Sequence, residues 1–247
     1  EIPIVFRMDE AVQSEYKRIE NALVRVLRSD RRVAQKILSA YLNLLTVYPD
    51  QPYDQKPILY PDSDIPIVEP ENIGDVDTLG EKEQKTLEIV KAAIQNGERA
   101  LIYTSWVRTD SQQKLKKLLT DECYRTEILT DKIKTTDRED WVQKKLAAGM
   151  QVLIVNPSLV ETGLDLNAFT TLVFYSMGYK LFTLRQASRR SWRINQKASA
   201  VKVYMLYYED TMQQKCLKLM ASKLAVAGLI EGNFSEEGLA AMSDVQD

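Results

Sequence analysis

Between residues 82 and 208 short apolar runs alternate with amphipathic segments over connections of only a few residues. "ALIYT" (100–104), a segment near 125–129, "QVLIVN" (151–156), "TTLVFY" (170–175) and "ASAVKVYMLYY" (198–208) read as strands. "EKEQKTLEIVKAAIQNG", closed by Gly97, a segment near 109–121, and "DREDWVQKKLAAG" (137–149) read as helices. In the last of these, Asp137 is the expected cap and Gly149 the expected stop. Runs such as "VLIV" are apolar at every position, so both faces of such a strand must be covered. Alternation of this kind implies an α/β fold: a parallel sheet with helices on both faces. Ligands of such sheets bind outside the carboxyl ends of the strands. The segments just after 104, 156 and 175 are therefore where function is expected.

The flanks differ in character. Residues 9–29 predict an amphipathic helix capped by Asp9, with Val12, Tyr16, Ile19, Leu23, Val26 and Leu27 at helical spacing. A second helix is expected over 31–47, ending before Pro49. Six of the eight prolines then fall between 49 and 70, which predicts an extended connector without regular structure. Its Ile58, Leu59, Tyr60, Ile65, Ile67 and Val68 are expected to pack along a surface. A long helix is expected from about 210 to 230, followed by an acidic tail. The resulting division is a helical lead-in (1–48), a proline-rich connector (49–80), an α/β core (81–208) and a C-terminal helix with its tail (209–247).

Composition excludes several chemistries. There is no histidine, so neither a Ser-His or Cys-His nucleophile nor a histidine metal site is available. Cys123 and Cys216 show no CxxC spacing, and no zinc site, other metal site or disulfide framework is expected. With 33 basic and 35 acidic residues the formal net charge is −2, so contact with a polyanion must come from local clusters. No apolar run reaches the roughly 20 residues of a membrane span, and the N-terminus lacks a signal-peptide pattern. The sequence opens inside an apparent strand, "EIPIVFRM", and is expected to be a piece of a longer protein.

One segment departs from this even balance. "RQASRRSWRINQ" (185–196) holds four arginines, two glutamines and no acid. On a helical wheel Leu181, Leu184, Ala187, Ser191 and Ile194 form a stripe suited to packing on the sheet. Gln186, Arg190 and Arg193 share a neighbouring flank at i, i+4, i+7 spacing. Arg185, Arg189, Trp192 and Gln196 fall on another. Two guanidiniums and a glutamine on one flank make a clamp of the kind that neutralises a phosphoryl group. The second set either pairs with surface acids or grips a nucleic-acid backbone, and a plain basic surface patch is the simpler alternative for the whole segment.

Taken in order, these segments resemble the second RecA-like lobe of a superfamily 2 helicase, in the Swi/Snf-type translocase branch. "ALIYTSW" (100–106) is similar to motif IV, "NPSLVETGLDL" (156–166) to motif V, and "QASRRSWRINQ" (186–196) to motif VI. "VKVYMLYYEDTMQQKCLKLMASK" resembles the strand, threonine-started helix and lysine that come after motif VI in that branch, and residues 2–48 resemble its lead-in. The resemblance implies that Arg190 and Arg193 act as arginine fingers on ATP, with Gln186, Gly163 and Asp165 also lining the nucleotide cleft. It implies a nucleic-acid track through Thr104, Ser105, Trp106, Thr130, Asp131, Asn156, Ser158 and Thr162. Short polar side chains and amides at strand ends suit phosphate contact without base readout.

The family pattern is not reproduced everywhere. Val160 and Glu161 stand where small residues are usual, Asn195 replaces a glycine, and Asp165 replaces an asparagine. Asp165 reads equally as a cap for the turn after it. Trp141 and Trp192 are expected to be packed rather than to stack on bases. No GxxxxGK[ST] loop and no DExx box occur in the 247 residues, and those elements belong to a first lobe. The resemblance thus implies an ATP-dependent DNA translocase in the full-length protein, with this chain inactive as an ATPase by itself. The partners implied are DNA, the protein's own N-terminal RecA-like lobe, and subunits of a DNA-processing or defence complex, with Mg2+ held mainly by the first lobe. A prokaryotic cytoplasm, on the nucleoid when DNA is bound, is the expected location. The competing reading is a degenerate, non-enzymatic lobe that binds DNA or protein.

Overall fold

The structure is a computed structural model and describes residues 2–105, 111–160, 164–176 and 201–231, with side chains as far as 222. The chain divides into two compact units. One comprises Glu1–Ile4, Glu81–Tyr207 and Cys216–Asp247, and the other Val5–Gly80 with Tyr208–Lys215.

The first unit is the α/β body. Its strands are β1 (Ile2–Phe6), β4 (Ala100–Tyr103), β5 (Thr126–Leu129), β6 (Val152–Val155), β7 (Thr171–Phe174) and β8 (Lys202–Tyr208). They form one six-stranded sheet in the order β1-β8-β7-β4-β6-β5. β4 pairs in parallel with both β6 and β7, β5 with β6, and β7 with β8. Every residue of β4, β6 and β7 is buried, as expected of strands without alternation. One pleat face carries Leu101, Tyr103, Leu153, Val155, Leu172 and Phe174, which cluster with Val142 of α5 (Arg138–Ala147) and with Leu217 and Met220 of α6 (Met212–Glu231). The Tyr103 and Phe174 rings stack there, 4.8 Å between centroids. The other face is covered by α3 (Glu81–Gln95) and α4 (Ser111–Asp121). The structure is thus the expected RecA-like α/β arrangement, helices on both faces.

Helix ends follow local chemistry, with one correction. After α3 and α5 the chain turns through Gly97 (φ 72°) and Gly149 (φ 90°), each with paired back-bonds to the last turn. Asp137 makes no capping bond to α5. It closes a short 3-10 turn (Thr135–Asp137), and its carboxylate accepts from the Thr136 hydroxyl instead. Trp141 is partly buried against the core, with the Lys145 ammonium 5.6 Å from its ring centroid.

The second unit is built on α1 (Glu10–Ser29) and α2 (Arg31–Val47). Tyr16, Ile19, Leu23 and Val26 pack with Ala34, Ile37, Tyr41 and Leu45. Asp9 caps α1 by accepting from the Val12 amide at 2.9 Å. Asp30 serves both helices: its amide donates to Val26, and its carboxylate accepts from the amides of Arg32 and Val33. The proline-rich connector is not devoid of regular structure. It contains an antiparallel pair, β2 (Ile58–Leu59) and β3 (Pro66–Val68). The prolines permit this because Pro57 precedes β2, Pro61 lies in the turn, and Pro66 is the first residue of β3, positions that need no ladder donor. Ile58 and Val68 are buried, whereas Leu59, Tyr60 and Ile65 are exposed. The segment 208–215 is tied in by the Met212 amide, which donates to the Tyr16 hydroxyl (2.8 Å), and by Gln213, whose amide nitrogen reaches Thr46 O (2.9 Å) and Asp50 (3.0 Å).

Candidate functional site at the strand tips

The order of connections reverses at β4. The chain leaves β4 towards β5, whereas it leaves β6 and β7 in the opposite direction along the sheet. In open sheets of this kind such a reversal of strand order is where ligands bind.

Short polar side chains from three strand tips meet there. The Ser105 amide, after β4, donates to Ser176 Oγ after β7 at 2.8 Å, and Ser105 Oγ donates to Ser176 O at 3.3 Å. Ser176 Oγ donates in turn to Thr104 Oγ1 at 3.2 Å. Thr104 Oγ1 also lies 3.5 Å from Ser111 Oγ at the start of α4. After β6, Asn156 Nδ2 donates to Ser105 O at 3.4 Å, while its Oδ1 accepts from both the amide and the hydroxyl of Ser158. One residue before Ser176, the Tyr175 ring carries the wholly buried Lys82 ammonium 5.1 Å from its centroid. That contact packs the first turn of α3 against the β7 tip.

The sequence-assigned residues divide accordingly. Ser105, Asn156 and Ser158 are brought together with exposed or partly exposed surface, whereas Thr104 has none. Thr130 and Asp131 sit apart, on the turn after the edge strand β5, and among the described residues no side-chain hydrogen bond joins them to the network. Asp165 accepts from the Asn167 amide at 3.1 Å, the turn-cap geometry. Val160, in place of a small residue, is buried in the sheet core. Trp106, Thr162, Gly163, Gln186, Arg190 and Arg193 lie outside the described residues.

Residues missed by sequence reasoning are Ser176, Arg138 and Glu139. Arg138 donates from Nε to Ile133 O (3.2 Å) and from Nη1 to Leu159 O (2.9 Å). Glu139 accepts from the Asp165 amide at 2.8 Å. Ser176 lies in the segment after 175 that the strand pattern marks, whereas Arg138 and Glu139 lie in ordinary surroundings by sequence and are brought in by the topology alone. At the opposite end of the sheet, Glu98 bonds Thr171 Oγ1 (2.6 Å) and Lys202 Nζ (2.9 Å). The Thr171 hydroxyl first, and then Lys202, holds the Glu98 carboxyl below its usual range. That latch serves the fold, not the tips.

Residues 81–195 match the family described as the helicase conserved C-terminal domain. That range spans most of the α/β body and includes Arg190 and Arg193. Among solved structures, the chain is similar to one titled the crystal structure of the C-terminal part of the Fun30 ATPase domain. The likeness has a TM-score of 0.63 at 13% identity and covers 99% of this chain and 95% of that one. The C-terminal domain of the DEAD-box protein Dbp5 is also similar, with a TM-score of 0.46 at 16% identity over 62% of this chain and 83% of that one. No curated protein sequence matches the chain.

Proposed function

We propose that this chain is the second motor lobe of an ATP-dependent DNA translocase of the Swi/Snf type. Arg190 and Arg193 supply positive charge to a nucleotide held on the protein's first lobe. The observation that carries this reading is the match of residues 81–195 to the helicase conserved C-terminal domain, a span that holds the segments resembling motifs IV and V and all but the last residue of the one resembling motif VI, in family order. In the full-length protein ATP supplies the driving reaction, with Mg2+ held mainly by the first lobe. This chain alone, which has no phosphate loop, turns over no ATP. On its own side, Gln186, Gly163 and Asp165 line the cleft, and Ser105, Asn156 and Ser158, with Thr104, Trp106, Thr130, Asp131 and Thr162, form part of a backbone-contacting DNA track. Contacts of this kind are sequence-tolerant and salt-sensitive. The setting is a prokaryotic cytoplasm, where the lobe works with its N-terminal partner and with subunits of a DNA-processing or defence complex.

The decisive measurement is DNA-stimulated ATP hydrolysis by the full-length protein, wild type against Arg190→Ala and Arg193→Ala. An arginine finger contributes about 10³–10⁵ in rate, so each substitution is expected to lower stimulated turnover by about 10³ or more. Near-wild-type turnover in both would remove the fingers. DNA binding without any hydrolysis in the wild type would establish the degenerate lobe instead.

A further inference from the structure

At the end of the sheet away from the tips, a cavity of about 380 Å³ opens beside the edge strand β5. Its wall is built from the second half of α4, the last turn of α5, and the residues that lead into β5 and β6. The left-handed turn at Cys123 carries the chain from α4 towards β5. Arg125 and Glu127, two apart where β5 begins, then both line the cavity. Gly149 makes room for the first of them: a Cβ there would lie 2.1 Å from Arg125 Nη1.

Lys116, Arg125 and Lys145 share this wall with a single carboxylate, Glu127, so two positive charges are left over. Asp121 and Glu122, close by in sequence, do not line it. Nor does the one carboxylate use up the donors. Lys145 Nζ bonds Glu127 at 2.6 Å, but Lys116 Nζ stands 3.6 Å away, beyond hydrogen-bond reach. Among the described residues the Arg125 guanidinium is bonded only to Ala148 O, at 3.3 Å, and it has several more N–H groups to give.

Lysines beside an edge strand block further strand pairing, and Lys145 also suits the dipole at the end of α5. Neither reason explains Arg125, which precedes the strand. Nor do they explain why both lysine side chains stay largely covered, only 38% and 36% exposed, in the cavity wall. We propose that this cavity is a binding site for a small phosphate monoester. Such a group carries about −1.5 to −2 charge at pH 7 and three acceptor oxygens, which matches the excess charge and the spare donors. A nucleic-acid backbone offers a single charge per phosphate on an extended chain, a poorer match to a concave site. Tyr124 and Met150 give the organic part of the ligand an apolar wall. The lining residues precede β5 and β6, so the site is separate from the strand tips and does not rest on the function proposed above.

Cys123 supplies a local readout, since it is exposed in the cavity wall whereas Cys216 is buried. The full-length protein is treated with iodoacetamide at rising phenyl phosphate and constant ionic strength, and alkylation of Cys123 is followed by peptide mass. Millimolar phenyl phosphate is expected to protect Cys123, and duplex DNA is expected not to. Arg125→Ala and Lys116→Ala should each raise the half-protecting concentration about tenfold, through loss of a charge-assisted hydrogen bond. Glu127→Gln should lower it several-fold, because the competing negative charge is gone. A gain of affinity cannot come from misfolding, so this variant decides the question if the alanine variants do not fold. Absence of protection in the wild type overturns the proposal, as does protection that Glu127→Gln fails to strengthen. Protection by duplex DNA would assign the cavity to a nucleic-acid backbone and overturns it as well.

Discussion

Tyr41 has no exposed surface, and its hydroxyl has no hydrogen-bond partner in the core formed by α1 and α2. A buried donor left unpaired costs about 1–3 kcal/mol. Tyr41→Phe is therefore expected to raise the unfolding free energy by about 1 kcal/mol, measured by urea denaturation at pH 7. Burial pushes the Tyr41 pKa up to about 12. A phenol whose folded pKa exceeds its unfolded value contributes stability that is complete below about pH 10 and is lost as pH rises towards 12. The gain from Tyr41→Phe should thus grow between those values. Glu15 titrates at the other limb. Burial pushes its carboxyl up, but hydrogen bonds from Arg18 and from the Glu71 amide outweigh burial, and the net shift is downward. Its contribution is present above the unfolded carboxylate pKa and is lost as pH falls through the lower folded value. Glu15→Gln should cost about 1–2 kcal/mol at pH 7, and the gap to wild type should close in acid. A gap independent of pH would show that the two Arg18 bonds, each 2.6 Å, are not what stabilises the charged form.

Three helices end in the same way, with different residues at the turning position. After α3, α4 and α5 the chain enters the left-handed region at Gly97, Cys123 and Gly149, with φ of 72°, 63° and 90°. In each case the amide of the turning residue and that of the next bond back to the last turn. Gly97→Ala has open space for its new methyl, so only backbone strain of about 1 kcal/mol is expected. At Gly149 a Cβ would lie 2.1 Å from Arg125 Nη1 and would displace the guanidinium from Ala148 O. Gly149→Ala should therefore cost more, about 1–2 kcal/mol. Cys123→Gly should instead stabilise by about 0.5 kcal/mol. Thermal unfolding that ranked the three otherwise would refute this account. Both glycine stops were legible because only glycine adopts this turn without strain. The stop at Cys123 was not, since the residue gives no hint of a left-handed backbone. The six strands of the sheet were legible from their apolar runs and short connections. The β2–β3 pair was not, because proline density hides a strand whose prolines all fall where no donor is needed. Asp137 resembled a cap by position alone, and the preceding 3-10 turn took its carboxylate elsewhere. At the tips, Ser105, Asn156 and Ser158 were legible as polar residues ending strands. Ser176 was legible only as part of the segment after 175; its bond to Ser105 depends on β7 lying beside β4, which no local pattern encodes.

At the scale of the molecule, a chain of net charge −2 has no overall field to hold a polyanion. The described groups at the central tips, Ser105, Asn156, Ser158 and Ser176, are neutral, and their donors are largely engaged with one another. A neutral hydrogen bond to a phosphate positions the backbone but releases no counterion, whereas an exposed cation releases about 0.9 of one on duplex DNA. Beyond the tip of β5, Lys132 and Lys134 are exposed on either side of Ile133. If DNA crosses the tips towards this edge, Lys132→Ala and Lys134→Ala should each flatten the slope of log K against log salt by about 0.9. Asn156→Ala should weaken binding several-fold at every salt concentration and leave the slope unchanged, since it removes geometry and no charge. Titrations of labelled duplex by the full-length protein, between about 50 and 200 mM salt, separate the two effects. A slope altered by Asn156→Ala, or untouched by both lysine substitutions, would mean that the charge meeting the backbone lies elsewhere and that the strand tips serve the fold alone.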